Sequence, residues 1–390
     1  MWLYLLHGEI ARAAAEAITS RPADPVPGTP DWRLVEYVRD PANGLDGEFA
    51  IRLEHAVERA DAVEVAGSFA QHRERLARSL YAEQIAELTK YVADALPGDR
   101  RLCVLVDNLD KAWDKSGDLD ELAHLLLGLF EAVGLIEKNF SDYRGRREEV
   151  SISLALFIRS DIYAHIARVA REPDKLPVER LEWEPELLLR VLEERFLDGR
   201  NDASADQLWS QYFAPDVEGV PVRNYLVQRT LPRPRDVVQL CNAAVISAVN
   251  SRHQKIEVSD ITAGERVYSQ VAVEALLVEN ASIIPDLEEV IYEFVGAKAS
   301  LDVVEVERLV ASASSSLPNT VIERLQELSF LGLETSEGKF KYSEIPAERR
   351  KAAVLARRLE KRLGRPARLQ VHPAYRTYLE IDEGATMGAS

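Results

Sequence analysis

The chain has 390 residues, of which 46% are apolar, so it is long enough for two or three domains and can bury a sizeable core. Its 48 basic and 65 acidic residues give a formal net charge of −17, which disfavours a nonspecific grip of the whole chain on nucleic acid or an anionic membrane. Two cysteines, Cys103 in a predicted core strand and Cys241 in a predicted helix, indicate a reducing compartment and buried thiols rather than a disulfide or zinc site. No signal peptide or membrane span is evident, and we therefore expect a cytoplasmic protein that does not contact a membrane.

Helices are predicted for much of the first hundred residues. Residues 2–18 carry an apolar stripe at helical spacing, although the pattern begins at the initiator methionine with no capping residue. Four prolines between residues 22 and 30 predict a loop. Further helices are predicted at 45–59 and 71–96, and residues 62–65 form a weaker strand pattern.

The most informative stretch runs from Arg101 to Trp113. The apolar run Leu102–Val106 predicts a short strand buried on both faces, as in the middle of a parallel sheet. Asp107 and Asp110 follow at its carboxyl end, where open α/β sheets bind ligands, and their carboxylates could hold a hydrated Mg²⁺. The alternative is a buried strand that runs into an acidic turn.

Strands and helices then alternate. A helix is predicted at 119–136, a second strand at Ile152–Ile158, a third and shorter strand at Val178–Leu181, and another helix from Pro185 to Phe196. This order is typical of a parallel sheet with helical crossovers, so the first part of the chain is predicted to be α/β.

The pattern becomes helical after about residue 205. The prolines of Leu231-Pro-Arg-Pro-Arg235-Asp236 indicate where a helix begins. The remaining predicted elements are helices at Val237–Val249, 260–279, 286–295, 302–312 and 319–329, a hairpin at 331–342, a basic helix at 347–363 and a frayed end at 385–390. Three helices followed by a hairpin indicate a winged-helix shape.

Three segments in this order, VLVDNLDKAW, LFIRSDI and LPRPRDVVQLCNAA, resemble bacterial P-loop ATPases of the AAA+/STAND superclass, close to the KAP-like branch. The resemblance implies a partial P-loop NTPase core with a Walker B segment at 1–200, a helical lid at 201–280, a winged-helix-like domain with a basic helix at 281–383, and a disordered tail at 384–390. It also implies an ATP-dependent switch in signalling or antiphage defence, with a protein partner or self-oligomer.

The resemblance assigns roles to four side chains. Asp107 would hold Mg²⁺ through water, and Asp110 would orient the attacking water, because Asn108 occupies the position where these enzymes usually carry glutamate. Arg159 would sense the γ-phosphate, and Arg235 would couple the nucleotide state to the lid. A guanidinium suits both tasks because it is always charged and binds phosphate oxygens with two donors.

These assignments have alternatives. Arg159 and Asp161 could form a surface ion pair, and Arg233 and Arg235 could be solvated residues that flank a proline-initiated helix. The phosphate-binding sequence G-x-x-x-x-G-K-[ST] is absent, and the one Gly-Lys pair, Gly338-Lys339, lies in the predicted hairpin. The chain is then either truncated, which the uncapped first helix favours, or a degenerate member, and we expect it to hydrolyse ATP poorly alone.

Two other functions compete with the nucleotide switch: a winged-helix DNA-binding regulator, and an adaptor whose ATPase core has decayed. The candidate recognition helix at 319–329 has a net negative charge, which argues against groove reading. Nine basic side chains within Arg349–Arg368 could hold a phosphate backbone. A charge-rich helix is more often a solvated face or the partner of an acidic surface, so nucleic acid is not favoured.

Overall fold

The computed structural model describes residues 1–45, 52, 82–96, 101–107, 119–141, 151–176, 178–200, 204–280, 284 and 286–384. The chain is mixed α/β, mainly helical, and divides into two compact units, Met1–Pro177 and Val178–Ser390. The first domain was predicted to end at residue 200, and residues 178–200 group with the second unit. The predicted strand at 62–65, nearly all of the predicted helix at 45–59 and the terminal segment 385–390 lie outside the described residues.

The first unit contains five described α-helices and two described strands. They are α1 (Trp2–Thr19), α2 (Pro30–Arg39), α3 (Ala82–Ala95), β1 (Arg101–Val106), α4 (Leu119–Ser141), β2 (Ser151–Leu156) and α5 (Ser160–Val169). Across the described ranges of both units, no helix combines the length and the apolar character needed to cross a membrane.

Helix α1 is the centre of the first unit. It packs against α2, α3 and α4, and Leu5, Leu6, Ile10 and Ala11 are at most 1% exposed. The indole nitrogen of Trp2 donates a hydrogen bond to the carbonyl oxygen of Leu125 at 2.8 Å. Since burial extends beyond the single stripe that the sequence predicted, α1 is a core helix rather than a surface helix.

Strands β1 and β2 are parallel, as predicted, and Leu102 pairs with Ile152. The prediction that β1 is buried on both faces is wrong. Leu102, Val104 and Val106 pack against the core of the first unit, whereas Leu105 is 64% exposed and Cys103 is also exposed. Because side chains alternate across a strand, a run that is apolar on both faces does not reveal which face is covered.

The predicted third strand at Val178–Leu181 does not form. Residues 178–184 have no regular structure, and Leu181 and Trp183 are 70% and 39% exposed. Glu179 and Arg180 separate the two apolar residues of this segment, so little apolar area was available to hold it against a sheet.

The second unit begins with a helical region and ends with a small sheet surrounded by helices. Its main elements are α6 (Pro185–Leu197), β3 (Asp216–Val217), β4 (Val220–Pro221), α7 (Val222–Gln228), α8 (Pro234–Asn250), α9 (Val258–Asn280), α10 (Leu287–Tyr292), β5 (Ser300–Leu301), α11 (Val303–Ala313), α12 (Pro318–Glu327), β6 (Leu331–Ser336), β7 (Lys339–Lys341), α13 (Pro346–Leu363), β8 (Leu369–Val371) and α14 (Pro373–Arg376).

Helices α8 and α9 form the main packed pair of the helical region. Pro234 occupies the first turn of α8, as the proline pattern predicted, because its fixed φ suits a helix start. Val237, Leu240 and Ala244 of α8 are fully buried. Cys241 is also buried, as predicted, and burial raises the pKa of its thiol to about 12.

The turn between α8 and α9 is held by the buried carboxylate of Asp260. It lies 2.7 Å from His253 Nδ1 and accepts hydrogen bonds from Ser247 Oγ at 2.9 Å and from the Glu257 backbone at 3.0 Å. The hydrogen bond to Asp260 raises the pKa of His253. Burial by itself would raise the pKa of Asp260, but the hydrogen bonds from His253, Glu257 and Ser247 lower it.

This contact predicts a pH-dependent stability. A raised folded-state pKa means that His253 contributes stability that is fully present below its unfolded pKa of about 6.5 and is lost as the pH rises through the folded value. His253→Asn is therefore expected to lower the melting temperature most at about pH 5.5, and the difference from wild type should shrink by about pH 8. Thermal melts across this range measure it. In an Asp260→Asn background the difference should be small at every pH, and a gap that stays constant with pH would contradict the assignment.

The C-terminal sheet has the strand order β5-β8-β6-β7 with antiparallel neighbours. The predicted hairpin is confirmed, since β6 and β7 pair antiparallel around Gly338, which has a φ of 69°. Next to β6, the ring of Phe330 packs edge-on against the ring of Phe294, with 5.2 Å between the ring centroids. The centroids of the Phe330 and Tyr375 rings are 5.4 Å apart. The helices and the hairpin occur in the predicted order, and the winged-helix assignment itself stays a prediction.

A buried polar cluster joins this sheet region to the helical region of the same unit. Glu265 of α9 is 4% exposed and accepts hydrogen bonds from Tyr225 at 2.5 Å and from the hydroxyl of Thr377. Arg229 pairs with Glu383 near the end of the chain. The segment after α14 is thereby fixed to α7 and α9.

Candidate functional site

The carboxyl edge of the β1–β2 pair brings two predicted site residues to one place. Val106 pairs with Leu156, and the Phe157 backbone N–H donates to the Val106 carbonyl at 2.8 Å. Asp107 directly follows β1, and Arg159 follows β2, so both leave the same edge of the sheet, and both are exposed. This is the arrangement that the sequence predicted for these two side chains.

Helix α5 begins at the same edge. Arg159 is its N-cap residue, and no side-chain capping bond to its first turn is found among the described residues. Helix N-termini attract anions because the first N–H groups have no partner within the helix and the helix dipole is positive there. The edge therefore combines a carboxylate from Asp107, a guanidinium from Arg159 and a helix N-terminus.

A carboxylate and an anion-binding element at the same sheet edge can bind the two parts of a metal–phosphate complex. A carboxylate attracts a divalent cation, and a guanidinium with helix N–H groups attracts phosphate oxygens. Within the described ranges, no group of three or more His, Cys, Asp or Glu side chains is arranged to hold a metal ion. A single carboxylate such as that of Asp107 suits a cation that brings phosphate and water ligands of its own.

The structure does not test the placement of the other two predicted site residues at this edge. Asp110 lies outside the described residues, so its predicted role in orienting water stays a prediction. Arg235 belongs to the second unit, in the first turn of α8. Its side chain is 68% exposed and lies 3.6 Å from a Glu279 carboxylate oxygen and 3.7 Å from one of Asp236.

Arg235 also lines a groove of about 390 Å³ between α6 and α8. The other lining residues are Val191, Arg195, Pro234, Val238, Gln239 and Asn242. Arg195 gives the groove a second guanidinium. Arg195 was not predicted from the sequence, because nothing in the spacing of α6 distinguishes it from the other charged residues of that helix.

The loop before α8 is more constrained than the sequence indicated. Arg233 donates a hydrogen bond to Glu344 at 2.8 Å, so it is not the solvated position that the sequence allowed. Asp236 is buried and accepts a hydrogen bond from Tyr268 at 2.8 Å, and Tyr268 in turn accepts one from the Leu231 backbone at 3.0 Å. Burial raises the pKa of Asp236, although its hydrogen bond from Tyr268 and the nearby arginines oppose the shift.

Comparison with known proteins gives two partial similarities. Residues 185–277, which run from the start of α6 into α9, match a family described as the FunZ-associated C-terminal helical domain. The chain is also 25% identical over 227 residues to a putative transposon gamma-delta 80.3 kDa protein of Escherichia coli strain K12, in a match that covers 56% of this chain and 30% of that protein. The chain thus spans about a third of the length of that relative. No solved structure matches.

Proposed function

We propose that the chain is an ATP-binding module of the P-loop NTPase type that acts as a nucleotide-dependent switch. The observation that carries the proposal is the parallel β1–β2 pair, which places Asp107, Arg159 and the N-terminus of α5 at one sheet edge. In open α/β sheets this edge is where nucleotides bind. The resemblance of the three sequence segments to AAA+/STAND ATPases supports the same proposal.

The residues at this edge fit Mg²⁺-ATP. Asp107 would hold the hydrated metal ion, and Arg159 together with the first turn of α5 would hold phosphate oxygens. Bound Mg²⁺-ATP would supply a γ-phosphate whose presence or loss distinguishes two states of the site. Turnover by this chain alone is expected to be slow, because the 390 residues contain no G-x-x-x-x-G-K-[ST] segment and because Asn108 cannot act as a general base.

The second unit offers a way to transmit such a change. Arg235 lines its groove next to Arg195, and the resemblance implies that Arg235 responds to the nucleotide. The neighbouring Arg233 ties the loop before α8 to Glu344 of the C-terminal region. In the proposed switch, a displacement of α8 therefore moves the C-terminal sheet region through this ion pair. A protein partner or a second copy of the chain would bind the displaced surface.

Binding of a fluorescent ATP analogue to the purified chain tests the proposal. Asp107→Asn and Arg159→Ala are each expected to weaken binding about tenfold or more, equivalent to about 1.4 kcal/mol, since each removes a charged contact to the nucleotide or its metal ion. Asp107→Asn should lose the Mg²⁺ dependence of binding and behave like wild type in a chelator. Arg159→Ala should weaken binding with and without Mg²⁺.

Matched controls use exposed positions of the same unit. Asp24→Asn and Arg171→Ala change the same charges and should bind like wild type. For the second unit, Arg235→Ala is compared with Arg266→Ala on the exposed side of α9. If wild type binds no nucleotide, or if the site variants bind it as well as the control variants do, the proposed nucleotide switch is wrong. An adaptor with a decayed ATPase core is then favoured.

A further inference from the structure

Helix α13 carries a face of exposed cations that the proposed switch does not use. Of the nine basic residues within Arg349–Arg368, three are held by other groups. Arg349 donates to Glu327 at 2.9 Å, Arg365 to Glu334 at 2.8 Å, and Arg368 lies 3.4 Å from Asp302. The other six are exposed and form no ion pair or hydrogen bond within the described parts of the chain: Arg350, Lys351, Arg357, Arg358, Lys361 and Arg362.

These six cations lie on one side of α13. At 3.6 residues per turn, their positions fall within an arc of about 140° and extend over about 18 Å of helix. The opposite side of α13 is buried through Ala352, Ala356 and Leu359. The six side chains therefore point to solvent from a helix that is fixed to the body of the second unit, and we call this surface the cationic face.

The two carboxylates of α13 lie off this face and have other partners. Glu348 lies 3.5 Å from Lys341, and Glu360 accepts a hydrogen bond from the Ala367 backbone at 3.1 Å. Like charges one helical turn apart, such as Arg357 and Lys361, repel each other and destabilise a helix. In a chain with 65 acidic and only 48 basic residues, a row of cations without partners among the described residues is available to an anionic partner.

We propose that the cationic face binds the phosphate backbone of duplex DNA. Its uniform charge fits a ligand of uniform and dense negative charge, whereas most protein surfaces mix both signs. Helix α13 has no aromatic residue on which unpaired bases could stack, which favours a duplex over a single strand. It also has no asparagine or glutamine for reading adenine, and the proposed contacts of its cations are with phosphate oxygens, which carry no sequence information.

The cationic face differs from the candidate recognition helix predicted at 319–329. Helix α12 carries Arg324, which pairs with Glu327 at 2.5 Å, and remains net negative. Val354 lies within the cationic face and Leu355 lies just beyond its edge, and they are 46% and 38% exposed. Two apolar side chains among six cations add little area for insertion into a lipid surface, so an anionic membrane is the weaker candidate.

The test is binding of the full-length chain to a short labelled DNA duplex, without nucleotide, measured by fluorescence anisotropy from about 50 to 200 mM salt. Wild type is expected to bind at low salt, with an affinity that falls steeply as salt rises. The triple variant Arg357→Glu, Arg358→Glu, Lys361→Glu should bind at least about tenfold more weakly. The milder triple variant with glutamine at the same positions should lower the slope of log affinity against log salt by about 3.

A charge-matched control separates the cationic face from net charge. Arg266→Glu, Lys298→Glu and Arg308→Glu change exposed residues of the same unit by the same total charge and should bind nearly as well as wild type. The proposal is overturned if wild type binds no duplex at low salt, if both glutamate triples weaken binding equally, or if polyglutamate or anionic vesicles bind more tightly than DNA. Because no nucleotide is present, failure here leaves the ATP proposal untouched.

Discussion

Gly264→Ala is expected to destabilise the second unit by about 3 kcal/mol or more. A Cβ added at Gly264 would lie 2.6 Å from the backbone nitrogen of Ala244 and 2.9 Å from its Cα. These are main-chain atoms of a neighbouring helix, so no side-chain rotation can relieve the overlap. Helices α8 and α9 would have to separate, and the core between them would lose its packing.

Urea denaturation followed by circular dichroism measures this effect as a lower midpoint of the second unit's transition. Gly134→Ala in α4 is the control, because an added Cβ there meets no heavy atom within 4 Å among the described residues. Alanine is the better helix former, so this control should stabilise the first unit by about 0.5–1 kcal/mol. An unchanged midpoint for Gly264→Ala would mean that α8 and α9 leave room for a Cβ atom at this position.

Glu334→Ala is expected to cost the second unit about 3 kcal/mol at neutral pH. Glu334 of β6 is 1% exposed and accepts hydrogen bonds from Arg365 at 2.8 and 2.9 Å, from the Arg368 backbone at 3.1 Å and from the Gly338 backbone at 3.2 Å. Alanine would leave these donors without their acceptor and would release the segment after α13 from the sheet. The same denaturation measurement applies, with exposed Glu337→Ala in the adjacent turn as a control that should change little.

The same carboxylate predicts an acid-dependent stability. The hydrogen bond from Arg365, with smaller help from the two backbone donors, lowers the pKa of Glu334 to about 2. A lowered folded-state pKa contributes stability that is present above the unfolded value of about 4.5 and is lost as the pH falls through about 2. The difference between wild type and Glu334→Gln should therefore shrink over this range. A difference that does not change with pH would show that Glu334 is not held as an anion.

Several elements of the fold were predictable because their signals are local. The apolar runs that became β1 and β2 each cover about one strand, and a strand-helix-strand order favours parallel pairing, which is what β1 and β2 adopt. Pro234 marked the start of α8 through its fixed φ. The strand ends then placed Asp107 and Arg159 at one edge without further information.

Other features depended on contacts between distant residues. Strands β5 and β8 have two and three residues, too few to show an alternating pattern, and they form by pairing Leu301 with Leu369. Arg233 and Glu344 are 111 positions apart, so their ion pair has no signature in the sequence. The exposed side of β1 was missed for the same reason, since the covering of a strand is decided by its neighbours.

The sequence by itself determined where most helices and strands form, and it determined that a carboxylate and a guanidinium leave the same edge of a parallel pair. Those properties follow from apolar periodicity, proline geometry and strand direction, which act over a few residues. Only the tertiary structure decided which charged side chains have a partner of opposite charge. Within Arg349–Arg368 it gave ion-pair partners to Arg349, Arg365 and Arg368, and it left the six cations of the cationic face exposed, because pairing requires an acidic side chain brought close by the fold.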